Sequence, residues 1–309
     1  MAATHQPETK IKSMIQNDQV SESMIERAIE FAIEEDLGAD GLDNGKGDLT
    51  CSAIVDDSLT ARATVLLKQP GVIAGTKIFE RVMKRFSNHI KVSILVEDGT
   101  YIDQIPAEIL KLEGPAKSII TGERTALNLI QRMSGVATMT RKFVDKTKGS
   151  SIAILDTRKT TPCLRALEKY AVRAAGGTNH RFGLFDMVMI KENHIEIAGS
   201  IKAAVEAVRK MHGKVHVEVE ARDLKEVNEA VENGADRVLL DNMAPEMVTR
   251  AIELVAGRCL VEVSGGVNLT NIDGYLLPGV DAISIGALTH SAPAIDLSLE
   301  VELPRSRSH

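Results

Sequence analysis

The sequence predicts a two-domain α/β protein: an amino-terminal α+β domain with a half-covered sheet, then a parallel β/α barrel short of its full set of strands. Three observations predict the barrel. From Ser151 onward six short apolar runs recur roughly every 25 residues: Ile152–Leu155, Met187–Ile190, His216–Glu220, Arg237–Leu240, Leu260–Val263 and Ala282–Ile285. Most of these runs end in a polar tip or a glycine turn, and right-handed connections bring such tips to one face. No GxGxxG loop follows the first run, which counts against a doubly wound open sheet.

The elements follow in order. Residues up to about Gln19 are polar and read as a frayed tail or a weak first helix. Ser21 is a candidate N-cap for an amphipathic helix to Glu35, with Met24, Ile25, Ala28, Ile29 and Ala32 on one face. Gly38 to Lys46 is a Gly/Asp-rich loop, which leads into Gly47-Asp48-Leu49-Thr50. Ala61–Lys68, His89–Leu95 and Ile105–Leu112 read as strands and Thr76–Arg85 as a helix. A long helical pattern runs from Thr121 to about Lys146 and links the domains. In the barrel the helix candidates are Leu164–Ala174, Ser200–Met211, Leu224–Asn233, Pro245–Ala256 and about Leu269–Leu276.

Composition narrows the function. A chain of 309 residues with 44% hydrophobic content has ample core for two domains. Its net charge of −6 and its shortage of aromatics, with no Trp, disfavour nucleic acid. No apolar run approaches a membrane span, and Met1–Met14 lacks the apolar core of a signal peptide. Three scattered cysteines, Cys51, Cys163 and Cys259, fit free thiols in a reducing cytoplasm, and zinc spacing is missing.

Against that acidic background one stretch is cationic. From Asp156 to Glu192 there are seven Lys/Arg and four Asp/Glu, with His180 besides. A cationic pocket in an acidic protein points to a small polyanionic substrate. Arg158 and Lys159 follow a strand end: either a solvated pair, or an anion clamp in which Arg forks a carboxylate and Lys meets phosphate. Gly176-Gly177 either caps a helix or carries Asn179, His180 and Arg181 to one spot. Lys191, at the next strand end, is an anion binder or a Schiff-base nucleophile. Glu220 and Asp241 end neighbouring strands, as structural carboxylates or as ligands for Mg²⁺ or sugar hydroxyls. Ser264-Gly265-Gly266 and Gly286-Ala287 end the last two strands and read as a phosphate cradle. Cys163 and the methionines of Met187–Ile190 are expected in the core. Arg124, near the start of the linking helix, is by itself a surface arginine.

These residues fall into motifs: Glu123-Arg124-Thr125-Ala126-Leu127-Asn128, Ser134-Gly135-Val136-Ala137-Thr138, Asp156-Thr157-Arg158-Lys159-Thr160, Asn179-His180-Arg181 and Phe185-Asp186-Met187. Ile190-Lys191-Glu192-Asn193-His194, Glu218-Val219-Glu220, Leu240-Asp241-Asn242, Ser264-Gly265-Gly266 and Ile285-Gly286 follow, with Gly47-Asp48-Leu49-Thr50 early in the chain. Together they closely resemble the quinolinate phosphoribosyltransferase family over about residues 22 to 300. The departures are the tail, the insertion-like Ala39–Lys46 and Pro304–His309, none of which touches a motif.

The resemblance implies an α/β sandwich over residues 1–122, with 291–309 packing back on it, and an incomplete, about seven-stranded barrel over 123–290. It implies transfer of phosphoribosyl from phosphoribosyl pyrophosphate to quinolinate with decarboxylation, dependent on Mg²⁺, giving nicotinate mononucleotide for NAD synthesis. It implies a cytoplasmic homodimer in which Arg124 reaches the neighbouring subunit's site. Arg124, Arg158, His180 and Arg181 would hold the two carboxylates, and Lys159 and Lys191 would meet the phosphates. Glu220 and Asp241 would hold ribose hydroxyls or Mg²⁺ and steady positive charge at the anomeric carbon. Lys159, Lys191, Glu220 and Asp241 are thus the expected catalytic set. Ser264, Gly265, Gly266 and Gly286 would seat the 5′-phosphate, with His290 beside them. The alternatives are a nicotinate phosphoribosyltransferase, a Schiff-base lyase through Lys191, and a barrel that only binds a phosphorylated metabolite. The several cations available for two carboxylates count against the first. The pairing of acidic and cationic tips counts against the last.

Overall fold

A computed structural model of the chain describes residues 18–38 and 47–303. The expectations for the tail before residue 18, the loop 39–46 and residues 304–309 lie outside the described residues. The described chain forms two compact units: 18–141 with 161–176 and 292 onward, and 142–160 with 177–291. The expected boundary at 122/123 falls inside one unbroken helix, Ala116–Lys146, and the units part at 141/142 instead. Among the described residues no helix is long and apolar enough to cross a membrane.

The first unit is built on a four-stranded antiparallel sheet. The strands β1 (Thr60–Leu67), β3 (Lys91–Ile94), β5 (Ala107–Pro115) and β12 (Leu297–Glu302) lie in the order β12-β1-β5-β3, and the short β2 (Gly71–Val72) and β4 (Tyr101–Ile102) pair with each other. Along β1, Ala61, Ala63, Val65 and Leu67 are buried in steps of two, as one covered face requires. The amphipathic helix Thr76–Phe86 buries Ile78, Phe79, Val82 and Met83. Asp48 caps the helix Leu49–Ile54: its carboxylate accepts from the Cys51 N–H at 2.8 Å and from the Thr121 hydroxyl at 2.9 Å. That gives the Gly47–Thr50 motif a structural role. The linking helix starts one turn before the expected Thr121, because Pro115 closes β5 and the Ala116 N–H is held by the Leu59 carbonyl.

The second unit is the barrel. Six parallel strands, β6 (Ala153–Leu155), β7 (Val188–Ile190), β8 (Val217–Ala221), β9 (Arg237–Asp241), β10 (Leu260–Ser264) and β11 (Ala282–Ser284), lie in the order β6-β11-β10-β9-β8-β7. They are the six apolar runs. The seventh stave is a single residue: Thr178 bridges Leu155 on the open side of β6, and its N–H reaches the Ile154 carbonyl at 2.8 Å. The wall is therefore paired everywhere except between Thr178 and β7.

Three local expectations are corrected. Leu269–Leu276 forms only a 3-10 turn, Ile272–Tyr275, in a stretch that contains Gly274 and runs into Pro278. An unforeseen helix, Glu192–Ala198, begins straight after Lys191, whose N–H is taken by His194 Nδ1 at 3.0 Å. Cys163 is exposed and sits at φ +65° in the loop before the helix Arg165–Ala174, while Met187 and Met189 are buried as expected.

Candidate active site

Parallel register places the strand tips together. Ser264 pairs with Asp241 and with Ser284, and Ser284 pairs with Leu155. Ile190 pairs with Val219, which sets Lys191 beside Glu220, and the two form an ion pair. Residues in steps of two share a face, so Glu218 and Glu220, Arg237 and Asp241, and Glu262 and Ser264 form successive levels of one interior.

At the tips a cavity of about 640 Å³ opens. Arg158, Lys159, His180, Arg181, Lys191, Glu220 and Asp241 all line it, as do Ser264, Gly265 and Gly266. Sequence reasoning missed five of its walls: Thr157, Met189, Leu239, Asn242 and Ser284. Gly286 and His290 are not in the lining; they adjoin it through Lys159, since a Cβ on Gly286 would lie 3.1 Å from the His290 ring and 3.2 Å from Lys159 Cδ. The loop bearing Lys159 is anchored there, the Thr289 hydroxyl donating to the Lys159 carbonyl at 2.8 Å. Arg124 lies exposed on the helix Ala116–Lys146 in the other unit, outside this lining.

The Gly-rich loop does both jobs its sequence allowed. Gly176, at φ +91°, follows the end of the helix Arg165–Ala174, and the chain then turns through Thr178 to His180 and Arg181. Fully buried Asp156 fixes that turn by accepting from Asn179 Nδ2 and, at 2.8 Å, from the His180 N–H. The Arg181 guanidinium donates to the Met187 carbonyl at 3.2 Å. Burial, joined by the positive charge of Arg158, lowers the Arg181 pKa. Like charges gathered this closely are stabilised when an anion sits among them.

Beneath the cavity lies a buried ionic set. Glu218 and Glu262 are fully buried, Arg237 is 1% exposed and His180 4%. His180 Nε2 stands 3.3 Å from an oxygen of each glutamate, and an Arg237 nitrogen is 2.8 Å from Glu262 and 3.8 Å from Glu218. Burial disfavours a charged imidazole, but Glu262 and Glu218 together outweigh it and push the His180 pKa up to about 10. The Nε2 proton is the one turned toward the two carboxylates. His180, Glu218 and Glu262 could bracket a metal ion by distance, but the Arg237 and His180 cations already balance the two carboxylates. His180 is thus held from below, while Arg158, Lys159, Arg181 and Lys191 edge the cavity above it. In the sequence Glu218 and Glu262 show only as acidic residues inside otherwise apolar runs, Val217–Val219 and Val261–Val263.

At the other side of the cavity, β10 ends in two consecutive left-handed glycines, Gly265 at φ +86° and Gly266 at φ +65°. This backbone is one that side chains resist, and without side chains it leaves a ligand room to come close.

Residues 136–300 match the family described as quinolinate phosphoribosyl transferase, C-terminal domain, and residues 48–134 match its N-terminal domain. A probable nicotinate-nucleotide pyrophosphorylase (carboxylating) from Bacillus subtilis is 42% identical over 262 residues, 84% of this chain and 90% of the relative. One of the same description from Methanothermobacter thermautotrophicus is 42% identical over 269 residues, 84% and 95% of the two chains. Among solved structures, the nicotinate-nucleotide pyrophosphorylase from Francisella tularensis superposes with a TM-score of 0.84 at 38% identity, covering 91% of this chain and 96% of that one.

Proposed function

The chain belongs to the quinolinate phosphoribosyltransferase family, and from that premise we propose how its barrel mouth carries out the reaction. Phosphoribosyl passes from phosphoribosyl pyrophosphate to quinolinate with decarboxylation, giving nicotinate mononucleotide, pyrophosphate and CO₂ in NAD biosynthesis. The observation that carries the assignment of roles is one cavity edged by four cations, two carboxylates and a double-glycine turn.

Arg158 and Arg181 clamp the quinolinate carboxylates, with the His180 ring as floor. Lys159 and Lys191 draw the pyrophosphate. A lysine already ion-paired with Glu220 is a fixed charge, which favours anion binding over Schiff-base chemistry. Ser264, Gly265 and Gly266 seat the 5′-phosphate, and Gly286 with His290 supports Lys159. Glu220 and Asp241 hold the ribose hydroxyls and steady positive charge at the anomeric carbon as the C–O bond to pyrophosphate breaks. The ring nitrogen supplies the new bond and becomes a pyridinium. When the 2-carboxylate leaves as CO₂, its bonding pair stays on C2, stabilised by the adjacent positive nitrogen, and takes up a proton. The protein's share is positioning and fixed charge.

Two carboxylates facing a site for phosphates are a donor set that suits Mg²⁺, a hard cation usually bound by one or two carboxylates plus substrate oxygens. Glu220 and Asp241 would hold it, and it would supply charge neutralisation for the departing pyrophosphate. Three free cysteines agree with a cytoplasmic setting.

The test is incubation with quinolinate, phosphoribosyl pyrophosphate and Mg²⁺. Nicotinate mononucleotide and CO₂ should form in equal amounts, and nicotinate should be a poor substrate. Equal turnover of nicotinate would remove the dicarboxylate assignment.

The enzyme works as a homodimer in which Arg124 serves the neighbouring subunit's site. Support comes from the exposure of Arg124 on a unit other than the one that holds the cavity. An Arg–carboxylate bond contributes about 1.5–3 kcal/mol, so Arg124→Ala should weaken quinolinate at least about tenfold. Mixing Arg124→Ala with Lys159→Ala chains should regenerate activity, because each mixed dimer holds one intact site. Verified heterodimers as inactive as their parents would place Arg124 in its own chain's site.

A further inference from the structure

We propose that Asn242 is a positioning residue that ties the Asp241 carboxylate to the phosphate turn at Ser264–Gly266. The inference rests on the roles given above to Asp241 and to that turn.

Among the described residues only Cys163, Asn242 and Ala256 adopt positive φ without being glycine. Ala256 ends the helix Pro245–Val255, an ordinary place for a left-handed residue. Asn242 instead follows β9 directly, at φ +55°. In extended backbone, residues 241 and 242 would point to opposite faces. The left-handed turn brings the two side chains together, and Asn242 Nδ2 donates to Asp241 Oδ2 at 2.9 Å.

The same residue supports the phosphate turn. Its N–H donates to the Ser264 carbonyl at 2.9 Å, extending the β9–β10 ladder by one bond. Its side chain fills the space beneath Gly265: a Cβ there would lie 2.6 Å from Asn242 Cγ and 2.9 Å from its backbone nitrogen. Asn242 thus touches the group that steadies the anomeric carbon and the loop that seats the 5′-phosphate, the two ends of one ribose. Asparagine is the side chain that tolerates this backbone and carries an amide donor.

The discriminating variant is Asn242→Gly, which keeps the left-handed turn at no steric cost and deletes the amide. Thermal midpoint, kcat and KM for each substrate would be measured beside the unsubstituted enzyme. The expected result is a kcat lowered about tenfold or more, a raised KM for phosphoribosyl pyrophosphate, and a melting temperature and quinolinate KM near those of the parent. Asn242→Asp, of equal size, should fall as far, since it sets a second carboxylate against Asp241. Unchanged kcat and phosphoribosyl pyrophosphate KM in Asn242→Gly would overturn the proposal. So would equal rises in both KM values with a drop in melting temperature, the sign of a purely structural residue. An unsubstituted enzyme inert toward quinolinate would overturn the functional reading, and this inference with it.

Discussion

Arg237→Ala should destabilise the protein by about 3–5 kcal/mol, the cost of leaving buried charge uncompensated. Arg237 is 1% exposed, and its partners Glu262 and Glu218 are fully enclosed, so water does not replace it. The loss should depend on pH. Burial raises the Glu262 pKa, but His180 and then Arg237 pull it down further, from 4.5 to about 2. A depressed carboxylate adds stability that is fully present above its unfolded value, near 4.5, and is lost as pH falls toward 2. Without Arg237 the Glu262 carboxylate takes up its proton at higher pH, and protonation relieves it. The gap between parent and variant should therefore be widest near neutrality and narrow below pH 4.5. Denaturant unfolding at several pH values measures it. A cost under about 1 kcal/mol at pH 7, or one that grows in acid, would contradict a charge-balancing role. His180 gives the opposite limb: its raised pKa adds stability that is complete below about 6.5 and lost as pH climbs through 10.

Gly265→Val should abolish most binding of phosphoribosyl pyrophosphate while sparing quinolinate. At φ +86° any side chain bears the left-handed penalty of about 1–2 kcal/mol, and a β-branched one is worse placed still. The new Cβ would also displace Asn242, whose Cγ lies 2.6 Å from its position. The combined effect should exceed about thirtyfold in affinity. Gly266→Ala separates the two causes. It shares the backbone problem at φ +65°, but its Cβ would meet only Asn242 Oδ1, at 3.9 Å. It should be the milder change. Calorimetry in which Gly265→Val weakens both ligands alike would argue against separate phosphate and carboxylate subsites.

Much of this was legible in the sequence because parallel barrel strands are buried on both faces. They therefore read as short unbroken apolar runs, and the residue that ends each run marks the site. That logic singles out Lys191, Glu220, Asp241 and Ser264, which line one cavity. It did not find Glu218 and Glu262, because an acidic residue between valines looks the same whether it faces solvent or a buried guanidinium. Asn242 was quoted only as part of a motif, since its importance lies in a backbone angle. The Leu269–Leu276 helix is cut to a 3-10 turn in a stretch with Gly274 inside it and Pro278 just beyond, breakers that apolar periodicity does not register. Cys163 was placed in the core on residue type alone, and loop geometry put it outside.

The starts of the same strands carry a different chemistry. Asp236 sends its N–H to the Val217 carbonyl at 2.9 Å and takes the Val217 N–H on its carboxylate at 2.8 Å. Asp281 does the same to Val261, at 2.9 and 2.8 Å. Each aspartate grips both backbone groups of one residue on a neighbouring strand, and so fixes the register there before any tip residue is reached. Anchorage and chemistry are thereby assigned to opposite ends of the wall. A lineage could exchange Arg158, Lys191 or Asp241 for other side chains and alter what the barrel transforms, with its alignment still secured from the far end. Change at Asp236 or Asp281 would be felt along whole strands, and these are the positions where such a scaffold has least freedom to drift.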